Sequence, residues 1–134
     1  MGRLRFDPDA PVIVLNATLE GEGGRRRRIR VALDTGATYV TVPWQIAEAL
    51  GYRPDLSLEK AEVVTASGVE NAPIIEVAAV KALGEEVERV AVLCHDLPPR
   101  SYIVGLLGAS FLRHFKLTID YLEGVAILEK KRRS

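Results

Sequence analysis

Cysteine and histidine are scarce in this chain: Cys94 is the only thiol among 134 residues, and His95 and His114 are the only imidazoles. One thiol excludes an internal disulfide and any site built from several cysteines. Nothing therefore requires an oxidising compartment, and a cytoplasmic location is expected. Two histidines without ligand spacing predict no metal site, and no motif asks for a cofactor. An excess of one charge is missing too, since eighteen Lys and Arg face eighteen Asp and Glu. With no net field, neither nucleic acid nor an anionic membrane is expected as a partner. No apolar run approaches the roughly 18 residues of a membrane span. The opening MGRLRFDPDA carries Arg3, Arg5, Asp7 and Asp9 and does not read as a signal peptide. Phe6 stands where a lipidation motif would need Ser or Thr.

What is present is 48% hydrophobic residues, enough for one domain with a real core. Residues 1–11 read as an N-terminal extension, 12–128 as the domain and 129–134 as a basic tail. The stretch VALDTGATYVTV, Val31 to Val42, organises the rest. An apolar strand delivers one acid, Asp34, into a turn made of Thr35, Gly36 and Ala37, where small neighbours allow a substrate or second chain to come close. Asp, Thr and Gly are ordinary turn formers. The apolar shoulders, Ile29, Val31 and Leu33 before and Tyr39, Val40 and Val42 after, are more than a surface turn needs.

Alternation predicts a strand over residues 12–19, with Ile13, Leu15, Ala17 and Leu19 on one face, and a returning strand in which Arg26, Arg28 and Arg30 alternate with Ile29, Val31 and Leu33. The arginine run reads as the solvated face of that hairpin rather than as a nucleic-acid patch, because no aromatics interleave with it. Pro43 suits the first turn of a helix striped by Ile46, Ala47 and Leu50 and stopped by Gly51, with Trp44 as packing. Residues 61–66 and 69–77 form two arms around Ser67-Gly68, a hairpin whose small tip, Thr65, Ala66, Ser67 and Gly68, suits a mobile flap. Pro73 should interrupt the returning arm at an edge. A second hairpin runs from Ile74, turns at Gly84-Glu85 and returns to Cys94, a buried and inert thiol. His95 and Asp96 sit beside Pro98-Pro99, and no serine in a nucleophile-elbow context accompanies them. The apolar run ending in Leu106, Leu107 and Gly108 precedes a helix over residues 109–115, and a last hairpin turns through Leu122 to Gly124. Asp120 reads as a turn cap.

An Asp-Thr-Gly turn, a glycine-tipped hairpin and a Leu-Leu-Gly before a short helix, in that order, resemble the retroviral-type (retropepsin-like) aspartic proteases over roughly residues 12–128. The resemblance implies a mostly β, closed-barrel-like acid-protease fold with two short helices, a flap hairpin and one lobe per chain. It also implies an aspartic endopeptidase, in which two carboxylates share a proton across a water. One oxygen takes the water's proton while the other carboxyl donates to the developing oxyanion. Asp34 lies in the chain's only Asp-Thr-Gly or Asp-Ser-Gly. The second carboxylate must then come from a second copy, which predicts a homodimer acting on a peptide or protein substrate. By the same resemblance Thr35 bonds across the two-fold, Gly36 permits close approach, Leu106 and Leu107 pack beneath with Gly108, and the flap tip closes over substrate. Ala37 cannot donate to the aspartate as a hydroxyl residue would, so cleavage is expected to extend to mildly acidic or near-neutral pH. The competing reading is a non-catalytic dimeric peptide-binding or scaffold domain of the same fold.

Overall fold

Alternating apolar and polar residues place most of the chain in strands. The computed structural model describes residues 2–98 and 102–130. In chain order the elements are β1 (Gly2–Arg5), β2 (Val14–Glu20), β3 (Arg26–Leu33), β4 (Val40–Val42), α1 (Trp44–Ala49), β5 (Lys60–Thr65), β6 (Gly68–Ala82), β7 (Glu85–Cys94), β8 (Gly105–Leu107), α2 (Ala109–Leu112), β9 (Phe115–Asp120) and β10 (Val125–Lys130). Short 3₁₀ turns at Glu22–Gly24 and Pro54–Leu56 fill two of the connections.

The larger sheet runs β2-β3-β8-β4-β7-β6-β5, and β2 also pairs with β6. That extra pairing joins the two ends of a six-strand path into a barrel and leaves β5 outside it. Closure removes most of the open edges that a flat sheet would present. The predicted face of Ile13, Leu15, Ala17 and Leu19 is buried, and Leu19, Val31, Val80, Val92 and Phe111 are among the side chains fully sealed in the barrel core. Arg25 to Arg28 and Arg30 are all exposed, as the hairpin reading required.

Helix α1 follows its sequence signals closely. Pro43, at φ −64°, sets the entry, and the Asp96 carboxylate accepts the Trp44 N–H at 3.0 Å. At the other end Gly51 takes φ +96°, and the Gly51 and Tyr52 N–H groups donate to Glu48 O and Ala47 O. This is a Schellman ending, which satisfies carbonyls that the helix leaves over.

Several expectations change in detail. The two-residue turns lie one position earlier than predicted: Thr65 pairs with Gly68 around Ala66-Ser67, and Ala82 pairs with Glu85 around Leu83-Gly84. Leu83 (φ +52°) and Gly84 (φ +74°) both have positive φ, the primed-turn geometry that matches strand twist. Pro73 does not interrupt its strand, because β6 is continuous for 15 residues. Before Ile74 the strand pairs only with β5, so the proline sits where no second ladder needs its missing N–H. The helix expected over residues 109–115 lasts one turn, since Phe115 already pairs with Lys130. Pairing along a whole strand here outweighs the helical spacing of Phe111 and Phe115, whose rings still meet at 5.1 Å between centroids.

A separate sheet, β1-β10-β9, contains both ends of the described chain. Strand β1 falls within residues 1–11, and Glu129 and Lys130 within residues 129–134 pair with Lys116 and Phe115. Pro99 and the basic residues 131–133 lie outside the described residues. Asp120 is a turn cap, its Oδ1 accepting from the N–H groups of Leu122 and Glu123.

One buried hydroxyl ties three elements together. Ser110 Oγ accepts the Val40 N–H at 2.8 Å and donates to Ala91 O at 2.7 Å, linking α2 to β4 and β7. Among the described residues no buried side-chain nitrogen or oxygen lacks a partner. Ser110→Ala would strand the Val40 N–H inside, and we expect a loss of about 1–3 kcal/mol, read as a lower urea midpoint. A shift within experimental error would mean that the hydroxyl is dispensable.

Cys94 is fully buried, and burial first, then the nearby Asp96 and Glu48 carboxylates, pushes its thiol up to about 12. Ellman's reagent at neutral pH should therefore fail to label the native protein, yet titrate one thiol in denaturant. Prompt labelling of the folded chain would contradict this burial.

Candidate active site

Strand β3 ends at Leu33, and the next residue is Asp34. Leu33 N–H donates to Ile13 O at 2.8 Å, so β2 and its approach hold one side of the strand end. Strand β8 holds the other, running parallel with Ala32 beside Leu106 and Leu33 beside Leu107. The Asp34 N–H then donates to Leu107 O at 3.1 Å. The acid's backbone is thus fastened by residues far away in sequence before its own turn begins.

The turn is also closed from within. Asp34 Oδ1 accepts the Gly36 N–H at 3.0 Å, and Asp34 O accepts the Ala37 N–H at 3.2 Å. Its far side is clamped to α2, whose Ala109 and Ser110 N–H groups donate to Ala37 O and Thr38 O. These bonds use the first two N–H donors of a very short helix, which would otherwise be orphaned. Asp34 is left half-buried, with one carboxylate oxygen tied to the turn, while Thr35 and Gly36 are exposed. Among the described residues the Thr35 side chain makes no hydrogen bond.

Glycines near the turn fall into two kinds. A Cβ on Gly108 would lie 2.3 Å from Tyr39 O and 2.7 Å from Ala37 O, and one on Gly105 would lie 2.4 Å from Thr41 O. Those two positions require glycine because β8 and the residue after it run so close to the backbone of β4 and the residues before it. Gly36 differs: its Cβ would meet only Asp34 Oδ1, at 3.4 Å, and its φ is not positive. Among the described residues nothing demands a bare Cα there.

The remaining predicted residues are distributed as follows. Leu107 is fully buried beneath the turn, while Leu106, on the opposite face of β8, is half-buried. The β5–β6 tip is bonded internally, Thr65 Oγ1 donating to Gly68 O at 3.0 Å and lying 3.2 Å from Ser67 Oγ. A Cβ on Gly68 would meet no described residue within 4 Å, so that position of the tip is open. His95 and Asp96 serve structure: His95 N–H donates to Val42 O, and Asp96 caps α1. Ser110 and Gly105 are supports that the sequence reading did not single out. A lone serine inside the apolar run GLLGASFL was the available signal for the first.

Among the described residues no group of three or more His, Cys, Asp or Glu side chains could hold a metal ion. No described helix is long and apolar enough to cross a membrane.

The retropepsin-like aspartic protease from Rickettsia conorii superposes with a TM-score of 0.69 at 24% identity, over 94% of this chain and 87% of its own, which establishes the fold. The simian foamy virus (mac) protease aligns at a TM-score of 0.49 and 23% identity, over 75% of this chain and 91% of its own. No curated protein matches by sequence. The family described as "gag-polyprotein putative aspartyl protease" matches residues 23–114, a span that holds both the Asp34 turn and Leu107, whose carbonyl accepts the Asp34 N–H. With more than half of its length in that match, the chain belongs to the gag-type, retropepsin-like aspartyl protease family.

Proposed function

We propose that the protein is an aspartic endopeptidase that works as a homodimer, with one Asp34 from each copy at a shared site on the two-fold axis. The observation that carries this reading is the fixed, half-exposed Asp34 turn, which offers one carboxylate per chain. Asp120, the other acid in a comparable sequence setting, is committed to its own turn. Peptide hydrolysis by water needs a base and an acid at once, which a single carboxylate cannot supply. Two carboxylates sharing one proton can, the ionised one drawing the proton from water while the other donates to the carbonyl oxygen.

Two features of the turn support a partner at this place. Thr35 is exposed and its side chain makes no hydrogen bond among the described residues, which suits a hydroxyl that meets the other copy's turn. Gly36 lacks a side chain where its own fold leaves room for one, which suits close approach by another backbone or by substrate. Leu107 and the α2 clamp hold the turn from below. The β5–β6 hairpin would close from above, with Thr65, Ala66, Ser67 and Gly68 at its tip, and exclude water from the scissile bond. A cytoplasmic setting fits the lone, buried thiol.

Asp34→Asn keeps the turn's shape while removing the ionisable oxygen. We expect it to fold as wild type and to lose about 10²–10⁴-fold in cleavage of a denatured protein substrate, the usual worth of an acid–base pair. If wild type and variant bind peptide alike and neither cleaves, the domain is a peptide-binding scaffold instead.

Light scattering should return twice the 14.7 kDa chain mass under assay conditions. A monomer that still cleaves would remove the shared-site mechanism. Mixing wild type with excess Asp34→Asn should suppress activity beyond simple dilution, because mixed dimers carry only one competent carboxylate.

A further inference from the structure

Five arginines, Arg25 to Arg28 and Arg30, crowd the β3 arm of the first hairpin, and the proposed protease chemistry uses none of them. Strand geometry sorts them. Arg26, Arg28 and Arg30 share one face because successive side chains alternate, and they stand about 6.8 Å apart along the strand. They lie opposite Glu20, Thr18 and Asn16 of β2. Arg26 is within 3.6 Å of Glu20, whereas Arg28 and Arg30 have no carboxylate partner among the described residues. Arg30 also sits over the Tyr102 ring, 5.9 Å from its centroid. Asp7 lines the same cavity as Arg30 and Tyr102, and Glu86 and Glu88 are on β7, beyond β2 and β6, where Lys81 lies directly opposite Glu86.

Among the described residues the backbone beneath these side chains is open on one side. Arg25 O accepts from Gly21 and Leu33 N–H donates to Ile13, so odd-numbered residues of β3 point their polar groups toward β2 and its approach. Even-numbered residues therefore point the other way, and Arg30 O duly accepts the Val104 N–H. Strand β8 pairs with β3 only from Val31 onward. At Arg26 and Arg28 no described strand covers this edge, and the Arg26 carbonyl is met only by the neighbouring Arg27 guanidinium at 2.8 Å.

We infer that this edge is a docking site for an extended acidic peptide segment, which adds to β3 as a further strand. An added strand would pair with the outward N–H and C=O groups of Arg26 and Arg28. Its alternate side chains would repeat at the same spacing as the arginines, so acids at every second position meet Arg26, Arg28 and Arg30 across the pair. A nucleic acid would match the charges but could not use the open backbone. The Tyr102 face nearest the strand is already taken by Arg30, which leaves it poorly placed to stack a base. The site is independent of whether the protein cleaves anything.

A short fluorescein-labelled peptide of alternating glutamate and valine, checked by mass to stay intact, should bind the wild-type protein in an anisotropy titration, more weakly at high salt. The triple variant Arg26→Gln, Arg28→Gln, Arg30→Gln, with an unchanged circular dichroism spectrum, should bind about tenfold more weakly or worse. Hydrogen exchange should slow at the Arg26 and Arg28 amides when peptide is added to the wild type. That second reading also decides the matter if the triple variant fails to fold. No binding, unchanged affinity in the folded variant, or protection placed elsewhere would overturn the inference. Displacement of the peptide by oligothymidylate of equal charge, or stronger binding to phosphatidylserine vesicles, would overturn it in favour of a general polyanion surface.

Discussion

The parallel pairing of β3 with β8 is the constraint on which this structure depends. Parallel neighbours cannot be joined by a tight turn. The chain must therefore leave the end of β3 at Asp34, travel through β4, β5, β6 and β7, and come back to the beginning of β8. That excursion builds the rest of the barrel, and β2 completes it by reaching β6. The acid consequently sits at the junction of two segments that are distant in sequence, held by the Leu107 carbonyl on one side and the Ile13-supported strand end on the other.

Holding a carboxylate this way requires backbones to come very close, and the residues that allow it are small. Gly105 and Gly108 leave no room for a Cβ against Thr41 and Tyr39. Ser110 supplies a hydroxyl where a larger apolar residue would leave the Val40 N–H unsatisfied. Below the turn Leu107 and Phe111 are fully buried. Above it, Thr35 and Gly36 are open. Support beneath and access above are what the proposed reacting group would need.

The zero net charge conceals a local asymmetry. Balanced totals argue correctly against a long-range field, but they say nothing about how charges are grouped. The hairpin places three arginines on one face of an edge, while the acids of β7 lie across two intervening strands. Whether those charges meet a partner depends on the open backbone beside them, a property of the sheet rather than of composition.

By itself the sequence determined the local elements: the alternation of β2 and β3, the cap signals of α1, the Asp-Thr-Gly turn and the buried character of Cys94. Each rests on neighbours a few residues apart, so periodicity and turn chemistry suffice to read it. Less was legible where distant segments decide. Four residues were too few to announce β1, whose partner β10 lies at the other end of the described chain. Pro73 looked like a break until the change of partner from β5 to β7 made its missing N–H harmless, and strand pairing ended α2 early at Phe115. The turn itself was visible in sequence, and the resemblance pointed to Leu107 and Gly108 beneath it, but the Ser110 support was not legible, because the bond from Val40 to Ser110 spans 70 residues. Only the closing of the barrel brings those two groups within reach, since hydrogen bonding acts over a few ångströms and is indifferent to separation along the chain.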